Sequence, residues 1–421
     1  MKRIILLSFV LLSGIFSKAQ QLQENDLAVL KATQNKHRNF ENKIQKEIYD
    51  DHFKELENRI VKGYAKAIFN TDTSYRKLLQ HLFNEFITKN KSYQFDKPLF
   101  YIINDNTPNA TSAGFDYFFI NTGMFLYLDN EYQLAAVLSH ELAHNYLEHS
   151  KAEILQQAEF AKDFQKKMRS LRKADMIKLI NSQDEVIQRK YDLAQQSRKK
   201  EIAADSLGYI FYSQLNYPKE EYLNLLNKLK QLDQTSYFTI KDETYQQLFG
   251  VNGVEIKSKW LKLEKDELYE GLSFTEHFDQ DSIRSHPNTQ DRIDYVTSQF
   301  KINSTINESA TPSDLFLELK QKAESDYYLV HLLYNNYDYA LYTIMNQKQK
   351  GNNDPKLDEL LVEIFDKLHE SRLKHEFNKY VSIANANDED TDYHRFLNFL
   401  WNLPTPELKL IANYYKEKAA I

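Results

Sequence analysis

The 421-residue sequence contains no cysteine. Disulfides and thiolate metal ligands are therefore excluded, and a transition metal held by this chain must rest on histidine and carboxylate. Positive charge is not in excess either: 54 Lys and Arg stand against 60 Asp and Glu, a formal net charge of −6. That balance offers no electrostatic footprint for a phosphate backbone, so no nucleic-acid partner is expected. Beyond the N-terminal segment no stretch approaches 18 consecutive apolar residues, and stable membrane insertion is not expected. What the chain has in quantity is apolar and aromatic mass. Hydrophobic residues make up 42%, with 28 Tyr and 26 Phe, enough for a substantial core and for two or three domains.

Residues 1–19 read as a targeting segment. Lys2-Arg3 supplies a basic start, Ile4 to Phe16 an apolar run, and Ser17-Lys18-Ala19 a small-x-small cleavage site. The alternative, an uncleaved anchor, has to contend with a short run interrupted by Gly14. Without cysteine, lipid attachment in the bacterial lipoprotein manner is impossible. The expectation is an exported protein, periplasmic or extracellular, soluble or peripherally membrane-associated.

The organising stretch runs from Glu131 to His149. Asp129-Asn130 is a plausible N-cap pair with Glu131 in the first turn, and Leu134, Ala135, Val137, Leu138, Leu142 and Ala143 follow without Pro or Gly, as in a buried helix. On such a helix His140 and His144 lie four residues apart and project from one face, a spacing that suits a single zinc ion. Glu141 is rotated about 100° from His140, beside the metal but outside its coordination set, where a carboxylate can accept a proton from a bound water. His149, nine positions beyond His140, points about 180° away around the helix, so it cannot join that metal and is a packing residue or one behind a ligand.

Upstream, residues 25–92 read as helices, one carrying Phe40, Ile44, Ile48, Phe53, Leu56, Ile60, Tyr64 and Ile68, another starting after Asn70-Thr-Asp-Thr73. Leu99 to Ile103 and Tyr117 to Ile120 are strand candidates, separated by a turn-rich piece from Asn104 to Gly114. They suit a plain core hairpin or a strand whose open edge receives an extended substrate. Residues 151–200 read as a charged helical hairpin that ends in Glu201-Ile-Ala-Ala-Asp205-Ser-Leu-Gly208. Glu201 and Asp205 share a helix face, so Glu201 can complete a His, His, Glu set and Asp205 can hold a ligand imidazole by its other nitrogen.

Three blocks resemble peptidase family M48: Asn109-Ala110 with Tyr117 to Ile120 and Thr122-Gly123-Met124; the Glu131 to His144 stretch followed by His149; and Glu201-x-x-Ala-Asp205 with Gly208. A later Ser285-His286-Pro287 with Arg292 is similar to the family's segment associated with the cleft. The absence of membrane spans between the second and third blocks is similar to the soluble exported Oma1-like branch. The resemblance implies a zincin-like α+β core, mainly helical with a small sheet whose edge faces substrate. It implies one zinc on His140, His144 and Glu201, with Glu141, Asp205, His286 and Arg292 at the catalytic site. His286 would donate to a developing oxyanion or act as a fourth resting ligand, and Arg292 would orient a carboxylate or bind substrate carbonyls. Thr111-Ser112 after Asn109-Ala110, and Gly114-Phe115-Asp116 before the strand, depart from the family's usual residues, so cleavage preference does not transfer.

The expected organisation is a leader at 1–19, packed N-terminal helices at 20–94, the peptidase domain at 95–300 with a 151–200 insertion, a linker at 301–312, and helices from 313 to 421. The last region suggests tandem helix pairs, and Tyr337-Asp-Tyr-Ala-Leu-Tyr342 resembles a tetratricopeptide second helix, without a clean 34-residue repeat. The implied function is zinc-dependent endoproteolysis of exported or envelope polypeptides in quality control, with envelope partners on the C-terminal helices. Two alternatives stand beside it: a non-catalytic envelope scaffold with structural zinc, and an exopeptidase.

Overall fold

Two aromatic-rich runs become neighbouring strands. In the computed structural model, which describes residues 22–38, 40–171, 176–232, 238–261, 288–302, 309–383 and 391–419, the sheet comprises β1 Leu99–Ile103, β2 Ala110–Gly114 and β3 Tyr117–Asn121 in the order β1-β3-β2. β1 and β3 are parallel, with Leu99 opposite Tyr117. They are therefore not the two arms of a hairpin. The hairpin joins β2 to β3, antiparallel with Ser112 opposite Phe118, and β2 is the edge.

β1 and β3 read as unbroken apolar runs because helices cover both faces. On one face Phe100, Ile102, Phe118 and Ile120 join a core with α3 Thr73–Lys89, which is capped by Asp72. On the other, Tyr101, Ile103, Tyr117 and Phe119 pack with residues of α1 (22–36) and α2 Lys43–Ala65. β2, Ala-Thr-Ser-Ala-Gly, carries no such signal: its side chains are small and only Gly114 is buried. The turn after it holds Gly114, Phe115 and Asp116 at φ of 78°, 52° and 67°. Consecutive positive φ values at Phe115 and Asp116 are those of a tight two-residue hairpin turn, and Phe there is sterically costly.

α4 Gly123–Tyr127 leads into α5 Glu131–Tyr146. The Asn130 side chain caps α5 by accepting from the Gln133 N–H at 2.9 Å. α5 stops at Tyr146, Glu148 takes a left-handed φ of 53°, and α6 His149–Leu171 sets off in a new direction. α7 Met176–Ser213 completes the charged hairpin, whose base is not wholly solvated: Ile154 and Ala158 are buried. α8 Glu220–Leu232 follows. Of the stretch expected to be linker, residues 309 and 310 are fastened to the start of α5: Ser309 Oγ donates to Asp129 at 2.8 Å and Asn130 Nδ2 donates to the Ala310 carbonyl at 3.1 Å.

The chain divides into two compact units, Met1–Asp233 with Phe278–Glu324, and Gln234–His277 with Ser325–Ile421. α9 Asp242–Phe249 thus belongs with the C-terminal helices, although its position in the sequence falls inside 95–300. Its apolar face explains why: Tyr245 and Phe249 meet Phe399 and Phe365. α10 Thr289–Phe300 lies in the first unit. The second unit is all-helical in its described residues, with helices at Tyr337–Gln349, Pro355–Leu373, Thr391–Asn402 and Thr405–Ala419 around Phe365, Phe396 and Tyr415. Among the described residues no helix is long and apolar enough to cross a membrane.

Candidate metal centre

α5 and α7 cross against one another at Gly208. A Cβ there would meet His140 Cα at 3.0 Å and its N at 3.2 Å, so only glycine lets α7 approach the backbone beside His140 without displacement. The close approach brings Glu201 to the two histidines of α5. Among the described residues, His140, His144 and Glu201 each place one donor atom within 4.8 Å of the others.

The distances fit a metal. Two donors about 2.0–2.1 Å from a tetrahedral zinc lie about 3.3 Å apart. Here His140 Nε2 and His144 Nε2 are 3.0 Å apart, and each is 3.4 Å from a Glu201 oxygen. Bringing two part-buried Nε2 atoms face to face is unfavourable unless a proton or cation lies between them. Two nitrogens, one carboxylate and no sulfur also form the usual donor set of a catalytic zinc with an open position.

The rear of each histidine is held. His140 Nδ1 lies 2.9 Å from Asp205 Oδ1, an ionic contact off the ideal hydrogen-bond line. Asp205 is 1% exposed and is gripped in turn by Arg292, whose Nε donates to Oδ2 at 2.8 Å and Nη2 to Oδ1 at 2.7 Å. Burial works to raise the Asp205 carboxyl, but the Arg292 charge and its hydrogen bonds hold it below the usual range. Burial likewise opposes a charged His140, but contacts to Asp205 and Glu201 outweigh it and hold the imidazole at about 10. Positive charge is thus favoured at this point of the cluster. His144 is backed by His149, with the two Nδ1 atoms 2.9 Å apart. The helix break at Glu148 explains this: His149 begins α6, so continuous-helix spacing does not apply to it.

Glu141 stands beside the cluster without joining it. Its Oε2 accepts the Ser112 N–H of β2 at 2.6 Å, and burial raises its carboxyl above the usual range. The edge strand and the carboxylate therefore border the same groove, a cavity of about 420 Å³ floored by His140, Glu141, His144 and Glu201 and flanked by Ala110 to Ser112. α8 also lines it, through Tyr222, Leu225, Leu226 and Leu229. No sequence motif marks these lining residues. The signal for them was the apolar spacing from Tyr222 to Leu229, which marks an amphipathic helix but not what it faces. His286 lies outside the described residues.

Removing Arg292 should be costly. Arg292→Ala would leave the buried Asp205 carboxylate without its cation, an expected loss of about 3–5 kcal/mol of stability. Chemical denaturation of the two proteins would show it, and an unchanged midpoint would contradict the pairing.

A paired-histidine helix with a carboxylate from a second helix, beside a strand edge and an unligated glutamate, defines a metallopeptidase-type site. The model of peptidase family M48 matches residues 74–299, more than half of the chain, and the chain belongs to that family. Comparison with curated proteins finds no match.

Proposed function

We propose that the chain is a zinc-dependent endopeptidase of exported or cell-envelope polypeptides, acting in protein quality control as a soluble member of the Oma1-like branch. One observation carries the reading: Glu141 sits at the His140, His144 and Glu201 cluster but spends one oxygen on the substrate-edge strand and none on the cluster. A purely structural metal would have no use for such a carboxylate, which weighs against a scaffold.

Zinc in this set would polarise a peptide carbonyl and lower the pKa of its water. Each residue has a separable part. His140, His144 and Glu201 hold the ion. Glu141, fixed by the Ser112 N–H and raised by burial, accepts the proton of the attacking water and passes it to the leaving amine. Asp205 orients His140, and Arg292 keeps Asp205 ionised. His286 keeps the role that the family resemblance implies, as oxyanion donor or resting ligand.

β2 supplies the substrate track. Antiparallel pairing directs the backbone groups of alternate residues to opposite edges, so a Ser112 N–H aimed at Glu141 marks the edge facing away from β3. An extended polypeptide added along this edge would pass its backbone over the cluster. Export rests on residues 1–19 as a leader.

The experiment is an unbiased cleavage screen. The zinc-loaded chain is incubated with unfolded exported polypeptides and the fragments are sequenced by mass spectrometry. Internal cuts are expected. Trimming from an end alone would replace this reading by the exopeptidase one, and binding without any cut would favour the scaffold.

A further inference from the structure

A second cavity, of about 220 Å³, shares His144 with the groove. Its border continues the same strand: the groove is flanked by Ala110 to Ser112, and this cavity by Gly114, Phe115 and Asp116. The rings of Phe95 and Tyr146, with centroids 5.9 Å apart, form part of its wall.

The charges around it do not balance within the cavity. Lys151 is paired with Glu148 at 3.0 Å, and Lys36, next to the cavity, with Asp96 at 2.9 Å. Burial and the neighbouring Lys36 depress the His37 pKa, which leaves that ring neutral at pH 7. Asp116 is the exception. Its side chain takes its hydrogen bond from a neutral amide, Asn145 Nδ2 at 2.7 Å, while its own N–H donates to Asn145 Oδ1 at 3.0 Å. Burial raises the Asp116 carboxyl above its ordinary value, and Asp96 adds to this; the Asn145 hydrogen bond, Lys36 and His37 act the other way without outweighing it, and neither Lys36 nor His37 forms an ion pair with Asp116 among the described residues. The reciprocal bond to Asn145 fixes the strained turn, but an asparagine at 116 would serve that purpose as well and tolerate the same positive φ. The charge is therefore not explained by the turn.

We infer that this cavity is a substrate subsite that receives a lysine or arginine side chain, its head at Asp116 and its stem against Phe95 and Tyr146. Aromatic walls suit the aliphatic stem and the cationic head of such a residue. The inference rests on the endopeptidase reading, in which substrate lies along β2. Ser112 faces Glu141 and the turn begins two residues later, so at about 3.3 Å per residue the basic side chain belongs about two to four positions from the scissile bond, on the flank that passes His144.

The test uses the zinc-loaded full chain and a library of extended peptides scanned position by position with lysine against norleucine, its neutral counterpart. Turnover is read with the unaltered protein, and dissociation constants with the Glu141→Gln protein, which needs no turnover. An about tenfold preference for lysine is expected at one position on one flank, in line with a charge-assisted hydrogen bond. Asp116→Asn, which keeps the amide pairing, should bring that ratio close to one. Gln94→Lys, which places a resident cation on the cavity wall, should do the same and stands in if the first variant does not fold. Cleavage with no lysine preference at any position would overturn the subsite and leave the peptidase reading intact, as would a preference that survives both variants. A binding preference abolished by the variants, in a protein that cleaves nothing, would uphold the cavity and sink the peptidase reading.

Discussion

Glu141→Gln should abolish peptide hydrolysis while zinc content stays at one per chain. The carboxylate takes no part in the His140, His144 and Glu201 set, so the nearly isosteric amide leaves the donors in place. It can also still accept the Ser112 N–H through its carbonyl oxygen, so the edge strand should not move. What it cannot do is take a proton at neutral pH. Removal of a general base typically costs about 10²–10⁴ in rate, and more where the same group also protonates the leaving amine. His140→Ala would be equally inactive for a different reason, the loss of a ligand, and should differ from Glu141→Gln in zinc content. Steady-state rates on an unfolded polypeptide, with zinc measured on the same samples, separate the two. Equal turnover by Glu141→Gln and the unaltered chain would reject the proposed mechanism.

Glu201→Gln should have the second-largest effect, and through the metal. Glu201 provides the cluster's only carboxylate donor and sits 3.4 Å from each Nε2. Replacing it with a neutral amide removes both the charge that offsets the cation and the stronger donor. Disturbing an outer contact typically costs 10–100-fold in metal affinity, so loss of a direct ligand should exceed about 100-fold. The fold should survive, because α7 is held by Ala204, Tyr209, Phe211 and Tyr212 in the main core, independently of residue 201. Competition with a chelator of known affinity measures the change, and far-ultraviolet circular dichroism checks helicity. A variant that keeps one tightly bound zinc would remove Glu201 from the set.

The parts of this site that could be read from sequence are those with a rigid local period. His140, Glu141 and His144 sit on one helix, so 100° per residue settles their relation before any fold is known. Glu201 and Asp205 share a face for the same reason, and Asn130 declared the start of α5 by its capping chemistry. The strands β1 and β3 were legible because burial on both faces makes them continuous apolar runs. Where geometry depended on packing, the sequence was silent. β2 is a strand through its pairing with β3, since Ala-Thr-Ser-Ala has little intrinsic preference for one. The parallel relation of β1 and β3 depends on β2 lying between them in sequence but at the edge in space. The spacing of His149 from His140 does not give its direction, because the helix ends three residues before it. The Arg292 fork on Asp205 joins groups 87 residues apart, a pairing that no local period spells.

The most direct test of the proposed metal site is zinc-edge X-ray absorption on the purified full chain, coupled to metal analysis. The expected result is one zinc per chain, with two imidazole nitrogens at about 2.0–2.1 Å and carboxylate oxygen at about 2.0–2.2 Å. The nitrogen shell should lose one scatterer in His144→Ala, and the oxygen shell should change in Glu201→Gln. A chain that binds no zinc, or a zinc whose spectrum is indifferent to both substitutions, would contradict the site at His140, His144 and Glu201.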